Sequence, residues 1–130
     1  MTPGQTLTVN TADTAELQRI PGIGPYYAKK IIYYRNQLGG FVNKEQLLEI
    51  EGFPDDALPY INITGEVKKI NLNTSTLYQL RKHPYLNFYQ AKEITDYHRK
   101  NGALKSLDDL RFSKYFTQQD FNRLLPYVEF

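Results

Sequence analysis

Gly22 and Gly24 stand one residue apart in Ile20-Pro21-Gly22-Ile23-Gly24-Pro25, a spacing that makes a backbone site for an anion. Glycine reaches positive φ at little cost, so a Gly-x-Gly segment reverses the chain within few residues and leaves bare N–H groups at its surface. Pro25 suits the first position of a helix, whose unpaired N–H groups and positive dipole end then face the same spot. Phosphate is the natural occupant. The expected donors are the N–H groups of Gly22, Ile23 and Gly24, with those of Tyr26 and Tyr27 close behind. Lys29 and Lys30, one turn further on, are placed to add charge for the same or adjacent phosphates. Ile23 is expected to plug the space between the two helices and hold the turn rigid. Contacts of this kind carry no sequence code.

Helices must flank that turn, and the surrounding sequence supplies them. Asp13, followed three residues later by Glu16, reads as a cap and its partner at the start of a short helix with Leu17 and Ile20 on its apolar side. It ends at Pro21-Gly22. From Pro25 to about Leu38, residues Tyr27, Ala28, Ile31, Tyr34 and Leu38 share one face, while Tyr26, Lys29, Lys30, Tyr33 and Gln37 tend toward the other. Gly39-Gly40 stops this second helix. A third is expected from an Asn43 cap through Leu47, Leu48 and Ile50, with a brief closing helix or turn before Pro59. Val9, Ile61 to Ile63, Ile70 to Leu72 and Tyr127-Val128 have strand character but are too short for a stable sheet. They read as extended segments packed on the core.

Sliding the chain against itself by 63 residues exposes a repeat. Asn10-Thr11 falls on Asn73-Thr74, Leu17 on Leu80, Pro21 on Pro84, Ala28-Lys29 on Ala91-Lys92, Ile31 on Ile94 and Phe53 on Phe116. Caps recur too, at Thr76 with Gln79 and at Asn43 and Ser106. After Phe53 the register slips by about four residues, so that Pro59-Tyr60-Ile61 matches Pro126-Tyr127-Val128. Thr64 to Lys69 is the connector, dividing the chain into units 1–65 and 66–130. In the second unit Pro84-Tyr85-Leu86-Asn87-Phe88 stands where the glycine turn should be, and side chains at 85 and 87 are expected to block close approach to the backbone. Arg81, Lys82, His83 and Lys92 surround that turn, leaving the unit either an electrostatic guide for an anion or a packing partner.

Composition bounds the rest. The chain has 130 residues, 41% hydrophobic, with no cysteine, which excludes disulfides and thiolate metal sites. No apolar run approaches the roughly 20 residues of a membrane span, and the N-terminus lacks a signal-peptide pattern. The net charge of +2 is unevenly spread: residues 1–65 carry five Lys+Arg against seven Asp+Glu, and residues 66–130 carry eleven against seven. Five acids of the first unit bunch at Glu45, Glu49, Glu51, Asp55 and Asp56, so the glycine turn itself lies in a basic setting of Arg19, Lys29, Lys30, Arg35 and Lys44.

With these residues in view, the chain resembles a tandem helix-hairpin-helix protein of the ComEA type, the DNA-receptor family of bacterial competence. The resemblance rests on Asn10-Thr11-Ala12, Glu16-Leu17, Pro21-Gly22-Ile23-Gly24-Pro25, Ala28, Ile31-Ile32, Tyr34-Arg35, Gly40-Phe41 and Leu47-Leu48. It covers residues 9 to 63 strongly and 70 to 130 through the repeat. A second hairpin in the first unit is abbreviated to Glu51-Gly52-Phe53-Pro54, without the second glycine. The resemblance implies an all-α fold of two tandem helix-hairpin-helix units, SAM-like or RuvA C-terminal-like helical bundles that can pack as one compact domain. It further implies nonspecific binding of double-stranded DNA, with hairpin amides on the backbone across the minor groove, and a place in DNA uptake or handling. By the same resemblance the carbonyls of Ile20 and Ile23 can hold a monovalent cation that bridges to phosphate. A parent protein that is extracytoplasmic or membrane-anchored would follow as well.

Other function classes have less behind them. His83 and His98 lie fifteen residues apart with no carboxylate arrangement suggesting a metal site, and Asp108-Asp109 sits where a helix start calls for acids. No enzyme activity and no cofactor beyond the cation are expected. A structural or protein-interaction module that kept the scaffold is the alternative, its partner docking on the acidic or tyrosine-rich surface. The eleven tyrosines can also serve as stacking platforms for single strands, but most read as packing residues, with Tyr26 and Tyr33 the exposed pair. The tandem arrangement suggests a monomer.

Overall fold

Asp13 opens the first helix by accepting the N–H of Glu16 at 2.8 Å, while the Glu16 carboxylate reaches back to the Asp13 N–H at 3.2 Å. This reciprocal box satisfies two of the donors that a helix start leaves unpaired. In the computed structural model, which describes all 130 residues, a two-residue strand β1 (Leu7–Thr8) precedes it, and α1 itself is a single turn, Thr14–Leu17. The chain then tightens through bonds from Ile20 N–H to Leu17 O and from Ile23 N–H to Ile20 O, at 3.1 and 3.0 Å, and enters α2 (Pro25–Leu38). Gly39, at φ +96°, ends α2 by donating to Arg35 O.

Where sequence spacing suggests a third α-helix after Asn43, the chain forms a 3₁₀ segment, Lys44–Glu49. The Gln46 side chain is drawn back to the N–H groups of Val42 and Asn43, at 2.7 and 3.2 Å, and six residues between two turns are too few to favour the wider helix. A second 3₁₀ segment, Asp55–Tyr60, leads into β2 (Ile61–Asn62), which pairs in parallel with β1, Leu7 opposite Ile61. The extended segments thus form a two-residue ladder that joins the two ends of the unit.

The second unit repeats this plan. β3 (Ile70–Asn71) precedes α3 (Leu77–Arg81), capped by Thr76 with Gln79, and α4 (Phe88–Asn101), capped by Asn87 with Gln90. A 3₁₀ turn at Leu107–Leu110 follows, then α5 (Gln118–Leu124) and β4 (Val128–Glu129), which pairs with β3. The slip of about four residues has a structural consequence here. The extra residues lengthen the closing helical segment itself, and Thr117, standing where the first unit has Pro54, forms a capping box with Asp120, so a true α-helix stands where the first unit has a 3₁₀ segment. The fold is therefore helical with a small parallel strand pair in each unit.

Two compact units result, Met1–Val67 and Lys68–Phe130, each built around its own core. The buried positions follow the repeat: Val9 and Leu72, Leu17 and Leu80, Ile23 and Leu86, Ala28 and Ala91, Ile31 and Ile94, Phe41 and Leu104, Leu47 and Leu110. Burying each of the larger side chains contributes about 1.5–3 kcal/mol. Polar clasps repeat as well. The Asn10 amide donates to Phe41 O and accepts from Phe41 N–H, both at 2.8 Å, and Asn73 does the same to Leu104 at 2.9 and 2.7 Å. These bonds explain why an asparagine recurs at that offset.

Candidate functional site

The start of α2 lacks the device that the other α-helices possess. Gly24 is its N-cap and has no side chain to accept from the first turn, whereas α1, α3, α4 and α5 each carry a capping box. The first intrahelical bond runs from Ala28 N–H to Gly24 O, so the N–H groups of Tyr26 and Tyr27 donate to nothing within the chain. Those of Gly22 and Gly24 are open too. These four donors and the helix dipole form a local concentration of positive potential.

Two expectations about this turn are corrected. The Ile23 N–H is committed to Ile20 O at 3.0 Å, so Ile23 contributes its buried side chain, the expected plug, and no donor. Positive φ is needed only at Gly22, at +89°; Gly24 is extended, at φ −96°. A Cβ at Gly24 would meet no atom within 4 Å, so neither the backbone nor the packing of this chain demands glycine there. The bare surface is available to an approaching ligand.

Behind the turn, the exposed side of α2 carries Tyr26, Lys29, Lys30 and Tyr33, which with Pro25 line a shallow groove of about 480 Å³. Tyr26 and Tyr33 are 64% and 66% exposed. Lys30 Nζ lies 5.4 Å from the centre of the Tyr26 ring, and neither lysine pairs with a carboxylate, all four ion pairs of the chain lying in the second unit. Arg35, in contrast, is held by the carbonyls of Val9 and Ala12 at 2.8 and 2.7 Å and belongs to the scaffold. Tyr27 divides its roles: its N–H is open, while its hydroxyl donates to Gly52 O at 2.7 Å and clasps the first turn to the second. Gly52 sits at φ +75° with the Tyr27 hydroxyl 2.8 Å from where a Cβ would be, and Glu51, Asp55 and Asp56 adjoin it in sequence. That acidic setting disfavours an anion at the second turn.

In the second unit the corresponding turn consumes its own donors. Tyr85 N–H donates to His83 Nδ1 at 3.1 Å, Leu86 N–H to His83 O at 3.0 Å, Asn87 N–H to Gln90 Oε1 at 3.0 Å, and Gln90 N–H to Asn87 Oδ1 at 2.8 Å. Only Phe88 and Tyr89 keep open N–H groups there. Tyr85 does not block approach from outside, as its sequence position suggests; it is buried, with its ring against His83 and Tyr127. His83 is buried with it, its Nδ1 turned to the Tyr85 N–H, and so it does not stand on the exposed rim of the turn. Of the expected guides, Lys92 is tied to Asp96 at 2.9 Å, Lys82 covers the Tyr78 ring at 4.4 Å and Arg81 the Phe88 ring at 5.6 Å. Lys92 lowers the Asp96 pKa below its ordinary value, first by the hydrogen bond and then by charge, with Arg99 and Lys100 adding to it against an opposing effect of burial. No group of three or more His, Asp or Glu side chains converges, and no helix is long and apolar enough to cross a membrane.

Two short-helix hairpins per unit, repeated in tandem around a glycine turn with an open helix start, define a class of protein. The chain belongs to the helix-hairpin-helix family: residues 3–62 and 65–129 each match the family described as "Helix-hairpin-helix motif". Among bacterial proteins it is 35% identical over 65 residues to "ComE operon protein 1" of Bacillus subtilis, covering 50% of this chain and 32% of that protein. An "Uncharacterized protein" of Haemophilus influenzae is 47% identical over 47 residues, 35% of this chain and 42% of that one. "Endonuclease/exonuclease/phosphatase family domain-containing protein 1" of Mus musculus is 28% identical over 138 aligned residues, 80% of this chain and 24% of its own length. The chain thus spans about a quarter of that relative's length. No solved structure matches it.

Proposed function

We propose that this chain binds double-stranded DNA without sequence preference, through the turn and helix start at Gly22 to Lys30. The observation that carries the reading is the uncapped start of α2, where the N–H groups of Gly24, Tyr26 and Tyr27 are open beside that of Gly22 and no side chain fills them. One phosphate accepts from these amides, and Lys29 and Lys30 neutralise it or its neighbours. Membership of the helix-hairpin-helix family and similarity to ComE operon protein 1 support the same reading. By the family resemblance the chain would act in DNA uptake or handling within an extracytoplasmic or membrane-anchored parent, as a binding module rather than a catalyst, and the tandem arrangement suits a monomer.

The cation belongs to this proposal. Ile23 O accepts no hydrogen bond within the chain and Ile20 O accepts one, so each retains a lone pair for a monovalent ion. If they hold one, duplex affinity in potassium chloride exceeds that in tetramethylammonium chloride at equal ionic strength; equal affinities remove the ion from the site.

The decisive experiment is fluorescence anisotropy of a labelled random-sequence duplex titrated with the chain across a range of salt. Saturable binding is expected, with log affinity falling by roughly 0.9 per neutralised phosphate for each tenfold rise in salt. Absence of binding at low salt would remove the DNA reading and leave the alternative, a protein-interaction module. The self-filled turn of the second unit leaves no amide site for phosphate there, and the acidic Glu45 to Asp56 segment offers a face for a basic partner.

A further inference from the structure

The second unit closes its amide site but opens a different surface at the same place. Phe88 and Tyr89, the first two residues of α4, pack edge to face with centroids 5.5 Å apart, and Tyr89 stacks on Tyr115 at 5.5 Å with the planes only 13° apart. A cation stands at each end of this row. Arg81 lies 5.6 Å from the Phe88 centroid and Lys114 lies 5.3 Å from that of Tyr115. Tyr89 is 59% exposed, and Phe88 and Tyr115 are near 40%, so the three rings present faces and edges to solvent.

The row is held in place, as a stacking surface requires. Gln90 donates its amide to Tyr115 O at 3.0 Å, and Tyr115 N–H donates to Ser113 Oγ at 3.2 Å. In the first unit the residue at the matching position, Tyr27, makes the corresponding bond to Gly52 O. The clasp is common to both units, and what it fixes differs: a bare glycine in one, a tyrosine ring in the other. Neither Arg81 nor Lys114 pairs with a carboxylate, while nearby Asp120 is occupied by Thr117 N–H, Gln90 and Arg123.

We propose that Phe88, Tyr89 and Tyr115, flanked by Arg81 and Lys114, form a stacking surface for the bases of single-stranded DNA. Aromatic rings interleaved with unpaired cations are what unpaired bases and their phosphates recognise, and a duplex keeps its base faces hidden. An acidic peptide would use the cations but has no use for the exposed rings between them, two stacked and one edge-on. This surface acts independently of the amides at Gly24.

The test uses the full chain, a labelled oligothymidylate and a duplex of equal length at one salt concentration. Tyr89→Ala is expected to weaken oligothymidylate binding about tenfold, as the loss of one stacked base does, with duplex binding unchanged. Tyr89→Phe keeps the ring and should bind as the parent does. Gly24→Val should show the opposite pattern, losing the duplex and keeping the oligothymidylate. Since the chain has no tryptophan, Tyr89→Trp supplies a single reporter whose emission oligothymidylate should quench. A parent chain that ignores oligothymidylate, or a folded Tyr89→Ala variant that binds it undiminished, overturns the proposal.

Discussion

The turns at residues 20–27 and 83–90 share a backbone plan and differ in who occupies its donors. In both, one amide donates back across the turn, Ile23 to Ile20 O and Leu86 to His83 O, each at 3.0 Å. In the first unit the remaining amides point to solvent because Gly22 and Gly24 have no side chains and Tyr27 directs its own elsewhere. In the second, His83, Asn87 and Gln90 supply three acceptors to amides at the same positions. On the proposed reading, a helix-hairpin-helix turn takes an anion only while its own side chains leave its amides open. Self-capping and ligand binding compete for the same hydrogen atoms.

The contrast fails most visibly if Gly24 is filled. Gly24→Val retains an extended backbone that valine tolerates before proline, and its Cβ meets no atom within 4 Å. We expect a folded protein, at a capping cost of about 1 kcal/mol, whose duplex affinity falls by well over tenfold in anisotropy. A folded variant with undiminished affinity would separate the glycine turn from DNA binding altogether.

Gly24→Asn makes the two turns alike by giving the first the cap of the second. The new side chain should accept from Tyr27 N–H as Asn87 accepts from Gln90 N–H. Thermal stability is expected to rise by a few tenths of a kcal/mol while duplex affinity falls about tenfold, the factor that corresponds to roughly 1.4 kcal/mol of lost phosphate bonding. Gains in both would show that the amides do not contact phosphate.

Charge ranks next. Replacing Lys29 and Lys30 together by alanine should lower the salt slope by about 1.8, two phosphates at roughly 0.9 each, and leave thermal stability unaltered, since both are exposed and unpaired. An unchanged slope would return them to the ordinary solvated face of a helix.

The smallest effect is expected at Asp96. Its carboxylate is held below its usual pKa, chiefly by Lys92, so the stability this brings is present above the ordinary carboxylate range and is lost as pH falls through the lowered value. Asp96→Asn should remove that acid-side dependence from a thermal melt and free Lys92, raising nucleic-acid affinity by less than about twofold, as exposed pairs contribute little. A larger gain would make Lys92 a contact residue.

Much of this architecture is legible in local sequence. Asp13 with Glu16, Asn43 with Gln46 and Thr76 with Gln79 each announce a helical start because a cap and its partner are three residues apart, and the structure closes all three. The buried face of α2 is readable at Ala28, Ile31 and Leu38, and the exposed Tyr26 and Tyr33 follow from the same period. Less legible are Tyr85 and His83, whose burial depends on the Tyr127 ring, distant along the chain. The 3₁₀ form of Lys44–Glu49 is also hidden, since apolar spacing over six residues does not distinguish it from an α-turn. Tyr115 stands in the turn before α5, far from Tyr89 along the chain, so no periodicity announces their stack.

Local sequence is therefore sufficient for the tandem repeat, the helix starts and stops, the cores that match across 63 residues, and the presence of a Gly-x-Gly turn in the first unit alone. These properties are set by interactions between residues a few positions apart, or by patterns that one turn of helix can sort. Folding is needed to settle which amides of that turn remain open, which histidine lies inside, and which tyrosines meet on the surface of the second unit. Those outcomes depend on side chains and carbonyls that are distant in sequence and adjacent only in the folded chain, where each donor takes the acceptor that burial places within reach.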